Sequence, residues 1–127
     1  MAIVFVFAGG GVGAVLRYLG GALWVRLMGP AQPYMATAII NVLGGLMMGV
    51  LVGWLARHEV ETAARWRLLL GVGVLGGFTT FSSFSLEAVN LLQRKAYLIA
   101  AAYVGGSVVL SILAVMLGLV LMRRLSA

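Results

Sequence analysis

Long apolar runs alternate with short polar interruptions along the chain, and the lengths of the runs carry the first inference. Four stretches, about residues 2–28, 34–56, 68–92 and 96–122, are predominantly apolar. A helix needs roughly 20 such residues to cross the hydrocarbon core of a bilayer, so the pattern predicts four transmembrane helices. The separators are short. They are Gly29-Pro30-Ala31-Gln32-Pro33, which holds both prolines, the polar segment Arg57 to Arg67, and a turn at Gln93-Arg94-Lys95. The fold class expected is an all-α membrane protein with one domain over residues 1–127. The opening Met1-Ala2-Ile3-Val4-Phe5 has no basic stretch before the apolar run and no early cleavage signature. It reads as a retained first span, not a removed signal peptide.

The third run departs from a plain apolar helix. Gly71, Gly73, Gly76 and Gly77 precede Phe78-Thr79-Thr80-Phe81-Ser82-Ser83-Phe84-Ser85-Leu86-Glu87. Gly76-Gly77 lowers the cost of leaving helical geometry, and the hydroxyls offer partners to freed backbone groups. A break is therefore expected near the middle of the third span. It would expose carbonyls, which favour a cation, and N–H groups, which favour an anion. A continuous, glycine-rich packing helix is the competing reading. Phe81 and Phe84 are three residues apart and share a helical face, with Phe78 extending the row. The edge of an aromatic ring is positive, so ring edges turned to a pore would stabilise a small anion without a fixed cation. Ordinary packing is the alternative for these rings.

Polar residues in the other spans point the same way. Asn41 in the second span can donate from its amide, and Thr37 lies four residues earlier on the same face. Tyr103, Ser107 and Ser111 fall at i, i+4 and i+8, one stripe along the fourth helix. Interhelical hydrogen bonding is the simpler role for each taken singly. Arg17 and Glu87 are ionisable groups inside spans, which makes them functional candidates. Arg17 suits either the mouth of an anion path or an anchor reaching to the interface. Glu87 suits a structural partner to the hydroxyl segment's backbone or to an arginine. His58 falls in the polar segment and is expected to be solvated.

Composition narrows the function classes. Of 127 residues, 63% are hydrophobic and 9% charged, too few charges to clothe a soluble surface. The net charge of +6 comes from basic residues at the ends of apolar runs, which points to anchoring at lipid headgroups and not to nucleic acid. Absence of cysteine excludes disulfides, thiolate metal sites and a cysteine nucleophile. Three acids and one histidine form no triad, zinc site or carboxylate pair, so no enzyme is expected. Gly9-Gly10-Gly11-Val12-Gly13-Ala14 loosely resembles a dinucleotide loop but lacks the βαβ setting that would give it meaning.

With four spans, both termini and the central loop share one side. That side holds Arg57, Arg65, Arg67, Arg123 and Arg124, against Arg26, Arg94 and Lys95 on the other, joined by Arg17 if it reaches that interface. So slight a bias permits insertion in both orientations, and two inverted copies could pair as an antiparallel homodimer. A single orientation with a modest preference fits the charges equally well.

Three segments resemble a known family. Gly76-Gly77-Phe78-Thr79-Thr80-Phe81-Ser82-Ser83-Phe84-Ser85-Leu86-Glu87 is similar to the GG-x-TTFSTFS-x-E signature of the CrcB/Fluc fluoride channels. Gly13-Ala14-Val15-Leu16-Arg17-Tyr18 resembles that family's GA-x-x-RY/W element, and Thr37-Ala38-Ile39-Ile40-Asn41-Val42-Leu43-Gly44 its T-x-x-x-N-x-x-G element. The resemblance implies passive export of fluoride through the plasma membrane (the inner one where a cell has two), by an antiparallel, dual-topology homodimer with two pores. It implies a fluoride pathway of Thr37, Asn41, Phe81, Ser82, Phe84, Tyr103, Ser107 and Ser111. It also implies a structural sodium ion at the dimer centre, on the backbone carbonyls of Gly76 and Thr79 from each copy. Ser83 stands where the family commonly has Thr, a change that keeps the hydroxyl. Two other classes remain for comparison. A small proton-coupled multidrug exporter needs an acid in its first span, and none occurs before Glu59. A membrane scaffold would pass no ions.

Overall fold

The computed structural model describes residues 1–125, so residues 126 and 127 of the expected domain lie outside the described residues. The chain folds as helices α1 (Ala2–Met28), α2 (Pro33–Leu55), α3 (Val60–Trp66), a π-helical segment (Arg67–Leu75), α4 (Gly76–Phe78), α5 (Phe81–Gln93) and α6 (Tyr97–Arg124). Among the described residues four units are long and apolar enough to cross a membrane: α1, α2, the composite Val60–Gln93, and α6. The chain is thus an all-α, four-span membrane protein with an interrupted third span.

Helix ends follow local chemistry. Gly29 closes α1 with φ of 82°, a left-handed conformation that favours glycine, while its N–H bonds the Val25 carbonyl at 2.9 Å. Pro33 opens α2, where its missing N–H costs nothing. The third span begins eight residues before the expected 68, because most of the polar segment is helical. Glu61 and Arg65 pair at 2.7 Å one turn apart, which supports the short surface helix α3.

The bundle is held by helices that approach nearly to backbone contact. A Cβ added at Gly9 would lie 2.3 Å from the Leu69 carbonyl oxygen, and one at Gly13 would lie 2.0 Å from that of Val74. From the facing side, Gly77 would meet the Gly10 oxygen at 2.4 Å. Gly49 and Gly118 join α2 to α6 in the same way. Small residues drive such packing because lipid supplies no hydrophobic force between helices.

These contacts decide which residues of the expected break leave the helix. The break falls near the middle of the third span, as expected, but the glycine pair itself does not unwind: Gly76 keeps helical angles (φ −63°, ψ −38°), and Gly77 serves the seam with α1. The chain leaves the helix two residues later. Thr79 (φ −80°, ψ 159°) and Thr80 (φ −152°, ψ 125°) are extended, and α5 starts at Phe81. The π-helical turns before α4 were not anticipated either. Phe78 consequently lies across the break from Phe81 and Phe84 and does not extend their row.

Candidate functional site

The site is the break and the side chains that satisfy it. Thr79 ends the upstream helix by turning both its N–H (3.0 Å) and its hydroxyl (2.8 Å) onto the Leu75 carbonyl. Its own carbonyl accepts from Arg17 Nη1 of α1 at 3.2 Å. Arg17 therefore reaches inward to the break, not outward to the interface. Thr80 is answered from α2: its N–H donates to Asn41 Oδ1 (2.9 Å), and its carbonyl accepts from Asn41 Nδ2 (3.0 Å). In an uninterrupted helix that N–H would go to the Gly76 carbonyl, which the break deprives of its usual donor. The Thr80 hydroxyl caps α5, accepting from the Ser83 N–H at 3.2 Å, and it also contacts the hydroxyls of Ser82 and Ser83.

Glu87 lies one and a half turns into α5. Its carboxylate accepts from the Thr37 hydroxyl (2.9 Å) and the Tyr103 hydroxyl (2.7 Å), one bond to each oxygen. Neither partner expected for it, the local backbone or an arginine, is used. Two hydroxyls of the expected pathway thus spend their protons on this carboxylate. Ser107, one turn beyond Tyr103, is buried, and its Oγ has no partner among the described residues. Ser111 is half-buried on the same face.

The aromatic residues divide by exposure. Phe84 is buried and stacks at 5.3 Å, tilted, on Tyr103, which meets Tyr34 edge-on at 5.4 Å. Phe81 touches Phe84 at 5.5 Å but is 78% exposed on the lone chain. His58 is exposed as expected, against Trp54.

Two open cavities flank the break. One, of about 430 Å³, is a side groove lined by Asn41, Thr79, Thr80, Phe81, Phe84, Ser107 and Ser111 together with apolar residues of α2 and α6. The other, of about 650 Å³, brings Arg17, Thr37, Thr80, Ser83 and Glu87 together. Thr80 is a wall of both. Every candidate from the sequence except Gly76 thus stands at the break, on Glu87 or beside these cavities. Among the described residues no cluster of three or more histidines, cysteines or acids could bind a metal through side chains.

Comparison with known proteins then decides the family. The family described as "CrcB-like protein, Camphor Resistance (CrcB)" matches residues 4–119. The chain belongs to the CrcB family. Among similar CrcB relatives, the "Fluoride-specific ion channel FluC" of Caulobacter vibrioides (strain NA1000 / CB15N) is 50% identical over 98% of both chains. The protein of that name from Phenylobacterium zucineum is 51% identical over 99% of this chain and 98% of its own. The one from Novosphingobium aromaticivorans is 52% identical over 96% of each. This CrcB chain is a multi-pass protein of the plasma membrane.

Thr80 is the residue that sequence reasoning undervalued. It appeared only as one hydroxyl in a run, yet it joins Asn41, Ser82 and Ser83 and separates the two cavities. A threonine just ahead of a helical run is a capping signal, and that pattern was available to find it.

Proposed function

We propose that the protein is a fluoride-selective channel, working as an antiparallel pair with two pores and exporting fluoride passively from the cytoplasm. Belonging to a family whose similar members are named as fluoride channels supports this reading and sets enzymes aside. The observation that carries it is the broken third span, pinned by Asn41 beside a groove of uncharged hydrogen-bond donors and phenyl rings.

The chemistry follows from charge and desolvation. Fluoride is small and strongly hydrated, so a pore must replace its water with many donors. A fixed cation in the narrowest region would hold it too tightly to release. Arg17 is the cation nearest the break, and the Thr79 carbonyl engages it. It would draw anions into the wider cavity without forming the constriction. Past Thr80, the donors left over are the second Asn41 N–H and the hydroxyls of Ser107 and Ser111, with the ring edges of Phe81 and Phe84, while Ser82 donates to the Thr80 hydroxyl. Thr37 and Tyr103 act through Glu87, holding its carboxylate away from the groove.

The lone chain also argues for a partner. A groove carrying an orphan hydroxyl and an amide cannot face hydrocarbon without cost, and 78% of the Phe81 surface is uncovered. A second, inverted copy closing the groove answers both.

The residues also suit the structural sodium ion implied by the family. The Gly76 carbonyl has lost its helical donor, and the Thr79 carbonyl retains a lone pair beside Arg17. Two neutral oxygens per copy suit a hard, singly charged cation. Bound there, sodium would supply a fixed charge tying the breaks of two copies together.

Efflux from liposomes loaded with fluoride or chloride tests the proposal. Fluoride is expected to leave rapidly and chloride to be retained; equal passage of both would end the selectivity claim. Replacing Phe81→Ile is expected to cut fluoride flux sharply while the dimer stays intact on size exclusion. Unaltered flux would remove that ring from the path. The exporter alternative loses further support here, because the acid beside the break, Glu87, is already held by two hydroxyls.

A further inference from the structure

Away from the break, the elbow between α2 and α3 carries features that ion conduction does not use. A cavity of about 460 Å³ opens there, walled by Val52, Leu55, Val60 and Ala63, with His58 and Arg67 at its polar rim. The Arg67 guanidinium is exposed and has no hydrogen-bond or ion-pair partner among the described residues. Its neighbour Arg65 is committed to Glu61 at 2.7 Å. His58 is oriented by its Nδ1–H, which donates to the Trp54 carbonyl at 3.0 Å.

Depth in the membrane is marked independently. Trp54 and Trp66 meet edge-on with centroids 6.1 Å apart, and indoles concentrate at the headgroup level of a bilayer. Arg57 donates to the Met122 carbonyl, drawing the end of α6, with Arg123 and Arg124, to the same end of the molecule. Five basic residues stand here against Glu59 and Glu61. The elbow therefore combines an apolar recess, an uncommitted guanidinium and a positive surround at interfacial depth.

We propose that this recess is a specific site for an anionic glycerophospholipid, with the phosphate on Arg67 and the first part of an acyl chain along Val52 and Leu55. Guanidinium pairs with phosphate through directed, charge-assisted bonds, which a diffuse basic surface does not supply. A free phosphate ion would fit the rim alone and leave the apolar wall unused, which selects the lipid. The site is independent of which ion the protein carries.

Tryptophan fluorescence in vesicles provides the test. The full-length protein with Trp24→Phe reports from Trp54 and Trp66 only, and lipids brominated on the acyl chain quench nearby indoles. Brominated phosphatidylglycerol is expected to reach half-maximal quenching at about fivefold lower mole fraction than brominated phosphatidylcholine, the worth of one basic side chain at a membrane surface. Arg67→Gln is expected to erase that preference, and Arg124→Gln to leave most of it. Ala64→Phe, at an exposed position lining the recess, is expected to erase it with every charge retained. Equal quenching by the two lipids would overturn the site. So would equal losses from Arg67→Gln and Arg124→Gln, which would mean surface charge alone. Relief of quenching by added inorganic phosphate would mean that the recess takes free phosphate and not lipid. Unchanged helicity and elution volume exclude misfolding as the cause of any loss.

Discussion

Asn41 meets both polar groups of a single extended residue, and a side-chain amide is suited to that because it offers an acceptor and a donor in one plane. Asn41→Leu would leave the Thr80 N–H and carbonyl unpaired inside the bundle, at about 1–3 kcal/mol for each buried group. Thermal unfolding in detergent should show a clear drop in midpoint, and fluoride efflux should fall with it. Full stability in this variant would mean that the break holds without Asn41. Glu87 poses a different question, since its two donors stand on different helices. Tyr103→Phe should cost about 1.5–3 kcal/mol, as expected for a hydrogen bond to a charged group. If Tyr103 acts through Glu87, the same change in a Glu87→Ala background should cost much less, and a double-mutant cycle measures the difference. Equal costs in both backgrounds would uncouple the two residues.

At the scale of elements, glycine does two jobs that the sequence alone does not separate. The four spans were legible because run length and hydrophobicity are properties of the chain itself, and α1 begins and ends where the pattern placed it. The break was legible too, near the middle of its span, but which residues unwind there was not. Glycine lowers the cost of a break and also permits close approach, and only the facing helix reveals which role is in use. Gly77 lies against Gly10, so it stays helical, and the rupture falls to Thr79 and Thr80, whose groups α1 and α2 can satisfy. The pairing of Glu87 with Tyr103 was hidden for a similar reason: it joins residues on different helices, and no spacing rule reaches across them. The roles of glycine can be tested by adding a methyl group. Gly13→Ala places a Cβ 2.0 Å from the Val74 carbonyl oxygen, and such overpacking costs about 1–3 kcal/mol. Gly10→Ala meets nothing within 4 Å and should be tolerated. Thermal unfolding of the pair should separate them by several degrees; equal stability would mean that the α1 seam relaxes freely.

At the scale of the whole molecule, the question is how a thin bundle hides a polar groove from lipid. Among the described residues no large side chain is completely enclosed, and the groove beside Phe81 opens on the flank of the chain. In the arrangement proposed above, an inverted neighbour covers that groove. Inversion requires insertion both ways, which the distribution of basic residues permits: five on the side of the central loop against three opposite. Glu59 is exposed and makes no side-chain cap for α3, and the chain has no native cysteine, so Glu59→Cys gives one harmless reporter. A membrane-impermeant thiol reagent applied to intact cells should label about half of the protein, the remainder reacting only after permeabilisation. Neutralising the lesser side with Arg94→Gln and Lys95→Asn, the latter tolerant of the positive φ at that position, should push labelling towards one extreme. Fluoride efflux should then collapse although each chain still inserts and folds, because inverted partners have become scarce. All-or-none labelling of the Glu59→Cys protein, with full efflux, would show that channels form from copies of one orientation.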